Sequence, residues 1–103
     1  MHRDYTFYVY ILSNPNRTVL YVGFTENLSN RIIQHINNKN TNKSFAGKYS
    51  CSDIIYYEVY QYVNEAIARE KQIKRWSRLK KDTLIRRKNP TLISYNREFI
   101  FEE

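Results

Sequence analysis

Residues 7 to 12, Phe-Tyr-Val-Tyr-Ile-Leu, and 18 to 24, Thr-Val-Leu-Tyr-Val-Gly-Phe, are aromatic and β-branched runs separated only by Ser13-Asn14-Pro15-Asn16-Arg17. Such side chains suit a pleated surface, and a short polar break containing proline folds the chain back on itself. The two runs therefore predict an antiparallel hairpin. If Leu12 and Val19 close it, Tyr10 stands opposite Tyr21 with both rings on one face. A third run, Ile54 to Val63, carries Tyr56, Tyr57, Tyr60 and Tyr62, and enlarges the hairpin to a sheet of about three strands.

Helical spacing fills the intervals. Leu28, Ile32 and Ile36 recur at i, i+4, i+8 between Thr25 and Asn38, the period of one helical face. Residues 39 to 53 are rich in Asn, Lys and Ser, and read as a long surface loop or a short irregular helix anchored by Phe45 and Tyr49. Asn64 followed by Glu65 is an N-cap and first-turn pair for a helix with Ala66, Ile67, Ile73 and Trp76 inward. Another helix runs from about Arg78 to Lys88, and Asn89-Pro90 ends it. The fold class is thus α/β (α+β), a small three-stranded antiparallel sheet flanked by helices. Residues 1–90 form the domain, and the tail 91–103, with Leu92, Ile93, Tyr95, Phe99, Ile100 and Phe101, is apolar enough to pack back on it.

With 103 residues the chain has the size of one domain. At 42% hydrophobic and 16% aromatic residues it can fold by burial, which excludes a disordered basic tail. The single cysteine, Cys51, excludes an internal disulfide, and with His2 and His35 it leaves too few soft ligands for a zinc site. The N-terminus is charged and no apolar run is long, so a cytoplasmic protein without membrane insertion is expected. The net charge of +7 points to a polyanionic partner. Residues 69 to 88 hold ten bases and two acids, so the whole excess lies there. Lys71, Lys74, Arg75, Arg78, Lys80 and Lys81, with Trp76 among them and Lys48 in the preceding loop, suit a phosphate track beside a stacking ring.

Three features carry candidate chemistry. Tyr10 and Tyr21 are predicted neighbours, and Gly23 interrupts an apolar strand where a ligand or another backbone can come close; the alternative is plain aromatic packing. Arg31 and His35, at i, i+4, share one side of the first helix at the border of its apolar stripe, which suits a cleft as well as an exposed surface. Glu70 falls inside the stripe of Ala66, Ile67 and Ile73. Burying an unpaired carboxylate there costs several kcal/mol, so it must meet a cation, a metal ion or a cleft. Arg69 or Lys74 offers a simple salt bridge. No second acid is spaced to share a metal with Glu70, so one Mg²⁺ held mostly by water fits better than a two-metal site.

Taken together, Val9-Tyr10, Tyr21-Val22-Gly23, Arg31, His35 and Glu70 resemble the GIY-YIG nuclease superfamily. Arg31 follows Gly23 by eight residues, His35 follows by four more, and an acid lies on the helix after the third strand. The string Arg69-Glu70-Lys71-Gln72-Ile73-Lys74, with Trp76 and Asn89-Pro90, is similar to the small stand-alone bacterial members. Tyr8 replaces the first glycine of the name motif, Val9 and Val22 replace its isoleucines, and Asp82 stands where many members have asparagine.

The resemblance implies metal-dependent endonuclease action on DNA in preference to RNA, in repair or recombination. Glu70 would ligate one Mg²⁺ or Mn²⁺, and Arg31 would neutralise charge on the phosphoryl oxygens. Tyr10 or Tyr21 would take a proton from water, and His35 would orient the tyrosine or bind phosphate. A phenol has an ordinary pKa near about 10, so the base needs positive charge close by. The competing expectations are a non-catalytic nucleic-acid-binding module on the same scaffold, and a protein-interaction domain whose basic helix meets an acidic partner.

Overall fold

The computed structural model describes residues 6–39, 41 and 44–100. The expectations placed on His2, on the charged N-terminus and on Phe101 fall outside them. Strands β1 (Phe7–Ser13), β2 (Leu20–Thr25) and β3 (Asp53–Tyr60) form one antiparallel sheet in the order β2-β1-β3. Helix α1 (Leu28–Asn37) and the single turn α2 (Phe45–Lys48) lie between β2 and β3; α3 (Val63–Lys74), α4 (Arg78–Lys88) and the turn α5 (Asn96–Phe99) follow. This is the three-stranded sheet with flanking helices that the resemblance implied.

β1 is central, and Val9 to Ser13 on it are buried. Its alternation sends Val9 and Ile11 into a core with Val22, Ala66, Ile73 and Ile85 beneath α3 and α4. Tyr10 and Leu12 enter a second core with Leu28, Ile32, Ala46, Cys51 and Ile54 beneath α1 and α2. A bulge between Ile11 and Leu12 in the β1–β3 pairing lets Ile55 and Tyr56 enter the first core together.

The hairpin register differs from the expected one by two residues: Tyr10 pairs with Gly23, and Leu12 with Tyr21. The turn is longer because its hydrogen bonds come from a side chain. Asn14 Oδ1 accepts from the amides of Thr18 at 2.8 Å and Val19 at 3.0 Å, while Arg17 takes a left-handed φ of 59°. An even-numbered slip keeps Tyr10 and Tyr21 on the same face.

Other expectations need correction. Ile36 is 39% exposed, and His35 takes the inner place beside Leu28 and Ile32. Helix α3 begins from Tyr62 without a side-chain cap, and Asn64 lies inside its first turn. In α2 the buried residues are Ala46 and Gly47, whereas Phe45 and Tyr49 face outward.

The C-terminal segment covers the outer edge of β3. The Tyr95 amide donates to the Ile54 carbonyl at 2.7 Å, Asn96 Oδ1 accepts from the Ile54 amide at 2.8 Å, and Asn96 Nδ2 donates to the Ser52 carbonyl at 2.8 Å. Asn89, 2% exposed, is the clamp beneath it. Its Nδ2 donates to the carbonyls of Ile55 and Ile93, and its Oδ1 accepts from the Ile93 amide. Water can replace the bonds to exposed Ile93 but not the one to buried Ile55. We expect Asn89→Ala to cost about 2 kcal/mol and roughly 10 °C of Tm, measured by thermal melting; an unchanged melt would remove the clamp.

Candidate active site at the β2 edge

Tyr10 is the centre of the site, and Gly23 makes its position possible. A Cβ at Gly23 would lie 2.4 Å from the Tyr10 Cζ and hydroxyl, so the ring crosses the β2 backbone through the space that a side chain would fill. The hydroxyl is carried toward the free edge of the sheet, where it is hydrogen-bonded to His35 Nε2 at 3.3 Å. Tyr21 completes a three-ring cluster, its centroid 6.5 Å from Tyr10 and 5.6 Å from His35. Tyr10 is 1% exposed and His35 8%; Tyr21 is half-buried.

The charged members come from opposite faces. Arg31 stands exposed on α1, one turn before His35. Glu70 stands on α3, beneath the other face. On that helix Ala66 and Ile73 define the buried line, and helical geometry places Glu70, Lys74 and Lys71 on one flank and Arg69 on the other. Arg69 reaches β3, donating from Nε and Nη2 to Glu58 at 2.9 and 3.0 Å. Glu70 is left to the β2 side, with a side chain 18% exposed and a loose ion pair to Lys74 at 3.5 Å.

The electrostatics of Tyr10 register this convergence. Burial pushes its phenol well above the ordinary range; Tyr21 adds to the rise, Arg31 opposes it, and Glu70 reinforces it. The hydroxyl thus lies within range of groups from β2, α1 and α3. Burial, with Arg31 second, lowers His35 to about 4 from an ordinary 6.5, so its ring is neutral at pH 7. In the Nδ1-protonated tautomer, Nε2 accepts a hydrogen bond donated by the Tyr10 hydroxyl.

The unfolded chain protonates this histidine near 6.5 and the folded one only near 4. Stability is therefore complete above the first value and drains away as pH falls through that window, by up to about 3 kcal/mol. Urea melts at pH 7 and pH 4.5 should show the loss, and His35→Gln should flatten it; equal slopes in the two proteins would refute a buried neutral imidazole.

The other predicted residues are placed as follows. Lys71, Lys74, Arg75 and Lys80 are exposed, and Lys81 is half-buried. Arg78 is engaged internally, with Nε on Asp82 and its two Nη atoms on the carbonyls of Thr18 and Arg17. Trp76, expected on the inner side of its helix and as a stacking ring beside the basic track, packs half-buried against the first core and carries Arg69 at 5.0 Å and Lys80 at 4.3 Å from its centroid. Lys48 lies 5.5 Å from the Tyr49 ring.

Sequence reading missed the Glu58 cluster. Burial alone would raise Glu58, but Arg69 and the Tyr56 and Tyr60 hydroxyls outweigh it and hold the carboxylate below its usual range. Its signal was an acid in the middle of an aromatic strand. By tying α3 to β3 it sets which flank of the helix faces the β2 edge.

Among the described residues no three His, Cys, Asp or Glu side chains cluster to hold a metal. Glu70, a partly open carboxylate with one distant partner, fits a hard ion that keeps most of its ligands as water. No helix among the described residues is long and apolar enough to cross a membrane.

Comparison with known proteins agrees with this geometry. Residues 6–83 match the family model described as the GIY-YIG catalytic domain. A UPF0213 protein of Syntrophus aciditrophicus (strain SB) is 34% identical over 87 residues, 81% of this chain and 92% of that protein. One from Clostridium perfringens (strain 13 / Type A) is 36% identical over 95 residues, 88% and 95%. The solution NMR structure of the UPF0213 protein BH0048 from Bacillus halodurans aligns with a TM-score of 0.53 at 26% identity, covering 90% of this chain and 93% of that one. The chain belongs to the GIY-YIG nuclease family, among its small stand-alone UPF0213 proteins.

Proposed function

We propose that the protein is a divalent-cation-dependent endonuclease that hydrolyses DNA phosphodiester bonds at the β2 edge, in DNA repair or recombination. The observation that carries this reading is the cluster of Tyr10, Tyr21 and His35 at the β2 edge, with Arg31 one turn before His35 on α1 and Glu70 a partly open carboxylate on α3. Glu70 would hold one Mg²⁺ or Mn²⁺. When bound, such an ion supplies Lewis-acid polarisation of the phosphate and stabilisation of the leaving 3′ oxygen. Arg31, exposed on α1, would neutralise charge growing on the phosphoryl oxygens through its planar fork of donors. Tyr21, the more open of the two phenols, would take the proton of the attacking water as its phenolate, its own proton having first left to solvent. Tyr10, a buried neutral phenol, holds His35 and Tyr21 in register beneath it.

Lys71 and Lys74 continue the Glu70 flank and suit the flanking strand, as do Lys48, Arg75, Lys80 and Lys81; such contacts weaken steeply with salt. Arg78 fastens α4 to the hairpin turn. Incubating the purified protein with branched, nicked and duplex DNA in Mg²⁺ or Mn²⁺ tests the reading. Cleavage that depends on Glu70 supports it; activity that survives Glu70→Ala overturns the site. DNA binding without cleavage on any of these substrates would favour the binding-module alternative.

A further inference from the structure

Beside the catalytic edge, the chain spends two large aromatic residues on the solvent. Phe45 is 52% exposed and Tyr49 42%, although the backbone that carries them is held firmly. Ser44 Oγ accepts from the Gly47 amide at 3.0 Å, the Cys51 amide donates to the Ala46 carbonyl at 2.8 Å, and Ala46 and Gly47 are buried. The rings are in contact at a centroid distance of 4.7 Å. Phe45 also stacks on Tyr21, at 6.2 Å with planes inclined by 26°. An aromatic surface therefore runs without a break from buried Tyr10 through Tyr21 to open Phe45 and Tyr49, and Lys48 stands over its far end. Neither exposed ring belongs to the core beneath; Phe45 lies directly on Tyr21, and Tyr49 is one ring further out.

We infer that Phe45 and Tyr49 form a stacking platform for the base next to the scissile phosphate, with Lys48 on an adjoining phosphate, so that the substrate must present that base unpaired. In an intact duplex both faces of a base are covered by its neighbours, and a platform on the protein surface cannot reach them. In a single strand, loop or flap one face is free, and every base offers one, so the contact selects for strandedness and tolerates sequence. The inference rests on the proposed reaction centre at Tyr21 and Glu70.

The test separates binding from chemistry. Fluorescence anisotropy in EDTA, where no cleavage can occur, measures affinity for a single-stranded DNA oligonucleotide, the same strand with abasic sites, and a blunt duplex. The wild type should bind the single strand about tenfold or more tightly than the duplex. The double variant Phe45→Ala with Tyr49→Ala should lose about tenfold on the single strand and nothing on the duplex or the abasic strand. Phe45→Tyr should restore most of the loss, which guards against a folding defect. Equal binding of all three DNAs by wild type and variant, or preference for the duplex, would overturn the platform; so would a wild-type dimer in sedimentation that the double variant dissolves, since the rings would then belong to a second copy. If Glu70-dependent cleavage is intact but the aromatic variants behave as wild type, the platform fails alone. If base-dependent binding is found without cleavage, the nuclease reading fails and stacking at these rings is upheld.

Discussion

Glu70→Gln is expected to slow metal-dependent cleavage by about 10³-fold or more while leaving the melting temperature nearly unchanged. Glutamine keeps the size and the helical preference of glutamate but loses the charge on which a hard cation depends. Removing one well-placed stabiliser of transition-state charge costs roughly 10²–10³-fold, and here the same change also removes the only protein ligand assigned to the ion. Stability is insulated because, among the described residues, Glu70 pairs with Lys74, half exposed and 3.5 Å away; such pairs contribute about 0–1 kcal/mol. Single-turnover cleavage beside a thermal melt reads both quantities. A variant that melts normally and still cuts would show that Glu70 is an ordinary helix-surface acid.

Gly23→Ala should damage activity and stability together. The added methyl group would lie 2.4 Å from the Tyr10 ring, a distance at which one of them must move. Tyr10 is 1% exposed and packed in the second core, so its rigid ring cannot swing into solvent without opening a cavity. Overpacking of this kind costs about 1–3 kcal/mol. Displacing the ring also breaks the 3.3 Å contact to His35 and shifts Tyr21; a misplacement of about 1 Å costs on the order of 10²-fold in rate. A double variant that shortens residue 10 as well, Gly23→Ala with Tyr10→Leu, should recover stability and not activity. Full activity in Gly23→Ala alone would mean that Tyr10 does not need the space over β2.

Much of this arrangement could be read from the chain. The three strands were legible from their aromatic and β-branched runs, and α1, α3 and α4 from apolar spacing and the stop at Asn89-Pro90. The candidate site residues stood out because their types fit the family's pattern at its intervals. What escaped depends on side chains bonding to backbone. Asn14 and Arg17 lengthen the hairpin turn and move the register by two residues; neither effect leaves a trace in hydrophobic periodicity. Asn89 looked like a helix stop and is also a buried clamp. Ile36 obeys the helical period as well as His35 does, and only packing against Tyr10 decides between them. Arg78 counted toward the positive charge in the sequence, whereas all three of its guanidinium nitrogens bond within the protein.

The division of β1 between two cores has an evolutionary consequence. Val9 and Ile11 with Ile73 and Ile85 make one layer, and Tyr10 and Leu12 with Leu28 and Ile32 make the other. Among the described residues of the segment between α1 and β3, those that enter a core, Ala46 and Cys51, belong to the second. Insertions or exchanges there leave in place the layer from which α3 presents its Glu70 carboxylate. Descent with modification thus has a place to act on the surface beside α1 while that layer is inherited intact.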